Sequence, residues 1–119
     1  MTDLPQTLVY KILSAPDYAA AKALGYSKTA LDEGDGYVHL STREQVQETL
    51  SLHYPGQTEV RLLEYVVEHF SGEVRWEESR RGKLFPHLYS TLRLDAAKRM
   101  WVLQNDTAGI PILPDSIDG

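Results

Sequence analysis

The sequence contains no cysteine. Disulfides, thiolate nucleophiles and cysteine-based metal sites are therefore excluded. It also has no apolar run approaching the roughly 20 residues that a membrane-spanning helix needs, so no membrane partner is expected. Positive charge is scarce. Twelve Lys and Arg stand against 17 Asp and Glu, for a net charge of -5 and a pI near 5.3. That balance argues against a general nucleic-acid binder but leaves room for a small basic pocket. The first residues include Asp3 and Pro5 and show no basic, apolar export signal, which makes a cytoplasmic setting the default expectation. Also missing are a His-Glu-x-x-His pair, a Gly-x-Ser-x-Gly elbow, a glycine-rich phosphate loop and a dinucleotide fingerprint. No internal repeat or low-complexity segment interrupts the chain.

What remains is 119 residues, 42% of them hydrophobic, enough for one domain with a real core. Leu8 to Leu13 reads as a strand. Ser14 then caps a helix with Pro16 and Asp17 in its first turn, and Gly25 stops it. Tyr26 to Gly36 has no clear period and reads as a polar loop. A short strand, Tyr37 to Leu40, feeds Ser41-Thr42-Arg43-Glu44. Its Ser-x-x-Glu spacing is that of a capping box, and a helix is expected from about Thr42 to His53. Val46, Leu50 and His53 share one face of that helix. Glu59 to Val67 is apolar on both faces, as a central strand covered on both sides is. Ser71-Gly72 turns the chain, and Val74 to Glu77 reads as the returning strand. Glu78 to Pro86 is charged and reads as a loop. Leu88 to Leu94 and Lys98 to Leu103 are weaker strand patterns, the second compatible with a helix as well. Residues 106–119 are expected to form a loosely packed tail. The order predicts an α+β fold: a β-α-β-α start followed by mostly antiparallel strands.

Two stretches carry residues suited to chemistry. In Tyr37-Val38-His39-Leu40-Ser41-Thr42, a histidine and a hydroxyl arrive at a strand end that opens onto a helix N-terminus, where anions are favoured. A core histidine bonded to a backbone carbonyl, with Ser41 only capping, explains the same residues. The second stretch runs from Trp76 to Tyr89 and gathers Arg80, Arg81, Lys83, Glu77, Glu78 and His87. Arginine suits phosphate or carboxylate through its planar fork, and Trp76 offers a stacking face. A solvated charged loop beside a core tryptophan is the alternative. Together His39 and His87 suit an acid/base pair or a ribose and phosphate clamp. Two histidines make a poor metal site without a third ligand, so none is expected. His53 and His69 read as surface residues.

Tyr10-Lys11-Ile12, Asp35-Gly36-Tyr37-Val38-His39-Leu40-Ser41-Thr42, Trp76-Glu77 and Phe85-Pro86-His87-Leu88-Tyr89 resemble a bacterial family known as domain of unknown function 952. That resemblance covers the chain from Val9 to about Val102. The family is in turn similar in fold to the ADP-ribosyltransferases. Val38-His39-Leu40-Ser41 resembles the His-Leu-Ser strand of the tRNA 2'-phosphotransferases, which use NAD as co-substrate. One departure is visible. Where that superfamily carries a first-strand histidine followed by Gly-Thr or Gly-Ser, this chain reads Tyr10-Lys11-Ile12-Leu13. The catalytic glutamate of many transferases has no assignable match either. The resemblance implies an ADP-ribosyltransferase-like fold and an enzyme, or degenerate enzyme, that handles ADP-ribosyl groups, NAD or nucleotides. His39 and His87 are then the catalytic candidates. Ser41, Thr42, Tyr37, Trp76, Arg80 and Tyr89 are the ligand-binding candidates, with a small anionic metabolite or nucleotide as the partner. A binding module without turnover, or a structural or partner-binding domain, are the alternatives. The two histidines are expected within roughly 10 Å in one cleft. That cleft is expected to be locally positive, with Arg80 pointing into it.

Overall fold

The computed structural model describes residues 7–79 and 82–118. Within them the chain forms, in order, β1 (Leu8–Leu13), α1 (Ala15–Leu24), α2 (Ala30–Asp35), β2 (Val38–His39), α3 (Arg43–His53), β3 (Arg61–Val66), β4 (Val74–Glu78), β5 (Leu84–Leu88) and β6 (Arg99–Val102). The strands make two antiparallel three-stranded sheets, ordered β1-β3-β6 and β2-β5-β4. The fold is α+β.

Period-two alternation explains the packing. Val9 and Leu13 of β1 join Leu63 and Tyr65 of β3 on one face of the first sheet. They pack with Val38 and Leu88 of the second sheet, so one apolar core lies between the sheets. Tyr10 and Ile12 fall on the opposite face with Leu62, where Val46 and Leu50 of α3 cover them. Burying each such Leu stabilises the fold by about 1.5–3 kcal/mol. β3 is thus central and buried on both faces, as its sequence predicts.

The helix ends follow their caps. Ser14 Oγ accepts from the Asp17 N–H at 3.2 Å, and Gly25, in the left-handed region at φ 87°, closes α1. The α3 capping box falls one residue later than the Ser41–Glu44 spacing suggests. Thr42 and Gln45 form it reciprocally. Ser41 is still held beside β1, exchanging both backbone hydrogen bonds with Tyr10 at 2.8 and 2.9 Å. The chain is free to turn only at Thr42.

Four expectations are corrected. The stretch read as a loop from Tyr26 contains α2, which Thr29 caps through the Asp32 N–H and Gly36 terminates. Six residues with Gly34 among them are too short to show a period. β4 does not return along β3. A 3₁₀ turn at Val67–Phe70 and Ser71 at φ 53° redirect the chain, and β4 pairs with β5. Pro86 therefore lies in a central strand of the second sheet. Its carbonyl accepts from Leu40 N at 3.1 Å, and the return bond that its nitrogen cannot donate is missing at the end of the short β2 ladder. Of Leu88 to Leu94 only Leu88 is in a strand. Lys98 to Leu103 does hold a strand, β6 at Arg99–Val102, and not the helix that was the alternative. Finally, the described part of the C-terminal tail is tied down. Ile117 is buried in the core beside α3. Arg99 donates to the Ser116 and Ile117 carbonyls at 2.8 Å, and Arg43 pairs with Asp118.

Candidate functional site

β2 and β5 put His39 and His87 directly opposite each other in register. Cross-strand partners share a face, and the two rings lie 5.5 Å apart between centroids, edge to face. The cleft distance expected from the sequence is met. Tyr37, two residues before His39, stacks on His87 at 4.1 Å, and Tyr89 lies 5.4 Å from Tyr37. These four rings are one cluster on one face of the second sheet.

Each histidine is oriented by a carboxylate. His87 is almost fully buried and its Nδ1 donates to Glu77 Oε1 at 2.9 Å. Glu77 is in turn held by the Tyr89 hydroxyl at 2.6 Å. Those donors, Tyr89 first and His87 second, hold the Glu77 carboxyl below the usual carboxylate range. With Nδ1 engaged, Nε2 is the His87 nitrogen left for a bound molecule. His39 donates from Nδ1 to Asp32 Oδ1 at 2.6 Å, while its Nε2 lies 2.9 Å from Asp35 Oδ2. Both of its ring nitrogens are occupied.

Lys11 completes the cluster from β1. Its Nζ donates to Asp32 Oδ2 at 2.7 Å and to the His39 carbonyl at 3.1 Å. Lys11, Asp32, His39 and Asp35 therefore form one continuous array, from a lysine only 4% exposed to an aspartate at the surface. Burial by itself raises the Asp32 carboxyl, but the His39 hydrogen bond and the Lys11 charge outweigh it and hold it at about 2. Burial pulls the Lys11 ammonium below the usual lysine value, against the attraction of Asp32. The two partners are thus not equally firm in their charge. Asp32 has His39 as well as Lys11 to stabilise it, while at Lys11 burial outweighs the attraction of both Asp32 and Asp17, so Lys11 is the more labile member.

These groups line a cavity of about 690 Å³, bounded by Lys11, Asp32, His39, Ser41, His87 and Tyr54 among others. Its size suits a small organic ligand. Burial pushes the Tyr54 phenol up to about 12, so at neutral pH it stays a proton donor. A neighbouring cavity of about 430 Å³ is lined by Tyr37 and Tyr89 together with Ser27.

Of the residues singled out in the sequence, His39, His87 and Ser41 line the larger cavity, and Tyr37 and Tyr89 border the smaller one. The Thr42 side chain is taken up in capping α3, and Thr42 lines neither cavity. Trp76 is half-exposed and alternates with Arg75 and Glu77, so it points away from His87 and lines neither cavity. Arg80, the expected phosphate partner, and Arg81 lie outside the described residues. The expected positive cleft is not what the described lining gives, since Lys11 is accompanied by Asp17 and Asp32. No group of three or more His, Asp or Glu side chains is placed to hold a metal ion among the described residues. No helix is long and apolar enough to cross a membrane among them either. The sequence reading missed Lys11, Asp32 and Glu77. A lysine on the inward side of an apolar strand is the signal that could have found Lys11 and its partner Asp32.

Residues 12–100 match the family model described as protein of unknown function (DUF952), and the chain belongs to that family. The crystal structure of protein CC0527 from Caulobacter crescentus is similar at 42% identity and a TM-score of 0.83, over 89% of this chain and 94% of that one. The solution NMR structure of CC0527 is similar with the same identity and a TM-score of 0.76, over 87% and 90%. No curated protein matches the chain.

Proposed function

We propose that this member of the family is an enzyme that binds a ribosyl compound of the ADP-ribose or sugar phosphate class in the larger cavity, with His87 as its general acid/base. The observation that carries this reading is the cross-strand pair His39–His87 on the cavity wall, each Nδ1 held by a carboxylate. A carboxylate on one imidazole nitrogen fixes the ring and leaves the other to exchange a proton with a ligand. Two observations favour the ribosyl class. The His-Leu-Ser strand resembles that of the tRNA 2'-phosphotransferases, and two packed antiparallel sheets suit an ADP-ribosyltransferase-like fold. Ser41, Tyr54 and Lys11 supply donors for sugar hydroxyl or phosphate oxygens. In this role Glu77 positions His87, and Tyr37 braces its ring from the side.

A binding module without turnover is the second reading. It is favoured by His39, whose two nitrogens lie 2.6 and 2.9 Å from carboxylates, and by a first strand that reads Tyr10-Lys11-Ile12-Leu13 without the histidine of the tRNA 2'-phosphotransferase superfamily. One experiment separates the two. Melting curves are recorded with ADP-ribose, ribose 5-phosphate and NAD, since a ligand bound only by the folded state raises the midpoint. Nicotinamide release from NAD is followed in parallel. A raised midpoint with consumption of NAD or ADP-ribose supports the enzyme, and a raised midpoint without consumption supports the module. No shift with any of the three removes the ribosyl reading.

A further inference from the structure

Lys11 occupies a position where its strand neighbours are core. Val9 and Leu13, on the same face of β1, are buried between the sheets, and Lys11 is itself only 4% exposed. A lysine is costly there unless its amine is used. Its nitrogen has three positions beyond the bond to Cε. Two are filled, by Asp32 Oδ2 and the His39 carbonyl. The third has no hydrogen-bond partner among the described residues, and Lys11 lines the larger cavity. A neutral amine has two N–H bonds and one lone pair. When the ammonium gives up a proton, the two acceptors still hold the two remaining N–H bonds and the lone pair takes the open position. Burial, which disfavours the ammonium, acts in the same direction.

We propose that Lys11 is an amine nucleophile that forms an imine with a small aldehyde or ketone admitted to this cavity. The proposal goes beyond the ribosyl reading, because any small carbonyl compound that fits can react. The open-chain aldehyde of ribose 5-phosphate connects the two. In the first step the Nζ lone pair bonds to the carbonyl carbon, and the C=O π pair moves onto oxygen. That oxygen takes one proton while the nitrogen gives one up. In the second step the carbinolamine hydroxyl leaves with the remaining N–H proton as water, and the nitrogen pair forms the C=N bond. Amine plus carbonyl gives imine plus water, with no oxidation or reduction. Asp32 is hydrogen-bonded to both Lys11 and His39, and the surface Asp35 lies 2.9 Å from the other His39 nitrogen, so these groups lead from the amine to solvent and provide the path by which its protons exchange.

The test traps the imine. The full chain is incubated at neutral pH with ribose 5-phosphate, and separately with glycolaldehyde, in the presence of cyanoborohydride. Adducts are then located by peptide mass mapping. Each unit by which an amine's pKa falls raises its neutral fraction about tenfold at neutral pH. Lys11 is therefore expected to be labelled faster than the exposed Lys22. Lys11→Arg keeps a cation against Asp32 and is expected to melt near the parent while losing the adduct at that position. Labelling of Lys11 no faster than Lys22 by either aldehyde overturns the proposal, whether the cause is a charged amine or a closed cavity. If glycolaldehyde labels Lys11 but ribose 5-phosphate neither binds nor reacts, the nucleophile stands and the ribosyl reading falls. If ribose 5-phosphate raises the melting point yet neither aldehyde labels Lys11, the ribosyl reading stands and the nucleophile falls.

Discussion

Asp32 is the residue on which the site's geometry depends, and Asp32→Asn is the perturbation that measures it. The carboxylate receives Lys11 on one oxygen and both the ring and the backbone N–H of His39 on the other. Its ordinary value of 3.8 falls to about 2 in the fold. At about 1.36 kcal/mol per pH unit, that difference is about 2.4 kcal/mol of stability. Asparagine keeps the shape but loses the charge, and it turns one acceptor into a donor that faces Lys11 or His39. Leaving a buried partner uncompensated adds to the loss, so about 2–4 kcal/mol is expected at pH 7. The sign with pH follows from the folded value lying below the unfolded one. The contribution is fully present above pH 3.8 and disappears as pH falls through about 2. Urea unfolding of parent and variant from pH 7 down to pH 2 measures it, because other titrating groups cancel in the difference. The gap should hold constant from pH 7 to pH 5 and narrow by about 2 kcal/mol on approach to pH 2. A gap under about 1 kcal/mol at pH 7, or one that does not change with pH, refutes the reasoning.

Three other outcomes are expected. Arg99 pairs with both oxygens of the fully buried Glu64 and also holds the chain end through the Ser116 and Ile117 carbonyls; Arg99→Met should cost about 3–5 kcal/mol in a denaturant melt and expose the last residues to proteolysis, and a loss under about 1 kcal/mol would show the pair to be dispensable. Ser27 Oγ is buried with no hydrogen-bond partner among the described residues, so Ser27→Ala should leave stability unchanged or raise it by up to about 1 kcal/mol, whereas a clear loss would mean that an ordered water or ligand satisfies the hydroxyl. Glu77→Gln retains the Tyr89 and His87 contacts in shape but removes the charge that orients the ring; turnover or ligand binding should fall with little change in melting point, and equal losses in both would mark Glu77 as structural.

The fold was legible where pattern and caps agree. β1, α1 and β3 follow from alternation, from Ser14 and Gly25, and from apolar residues on both faces of one strand. The misread segments are those in which tertiary contacts decide. α2 is six residues long and exists because Thr29 and Gly36 close its ends and Asp32 is anchored from two other elements. β4 looks like the partner of β3 because they are adjacent in sequence, yet the left-handed Ser71 carries it to β5. The site divides in the same way. His39 and His87 stood out because each sits in a short, distinctive stretch near a strand end. Glu77 and Asp32 looked like ordinary surface carboxylates, since nothing local distinguishes a carboxylate that meets a histidine 7 or 10 residues away from one that meets water. Lys11 was missed as well, although its own strand marks it. In an alternating strand the residue between Val9 and Leu13 on one face belongs to the core, and a lysine there must find a carboxylate or lose its charge. Here it finds Asp32, which also fixes His39, so one buried amine ties the first sheet to the histidine pair of the second.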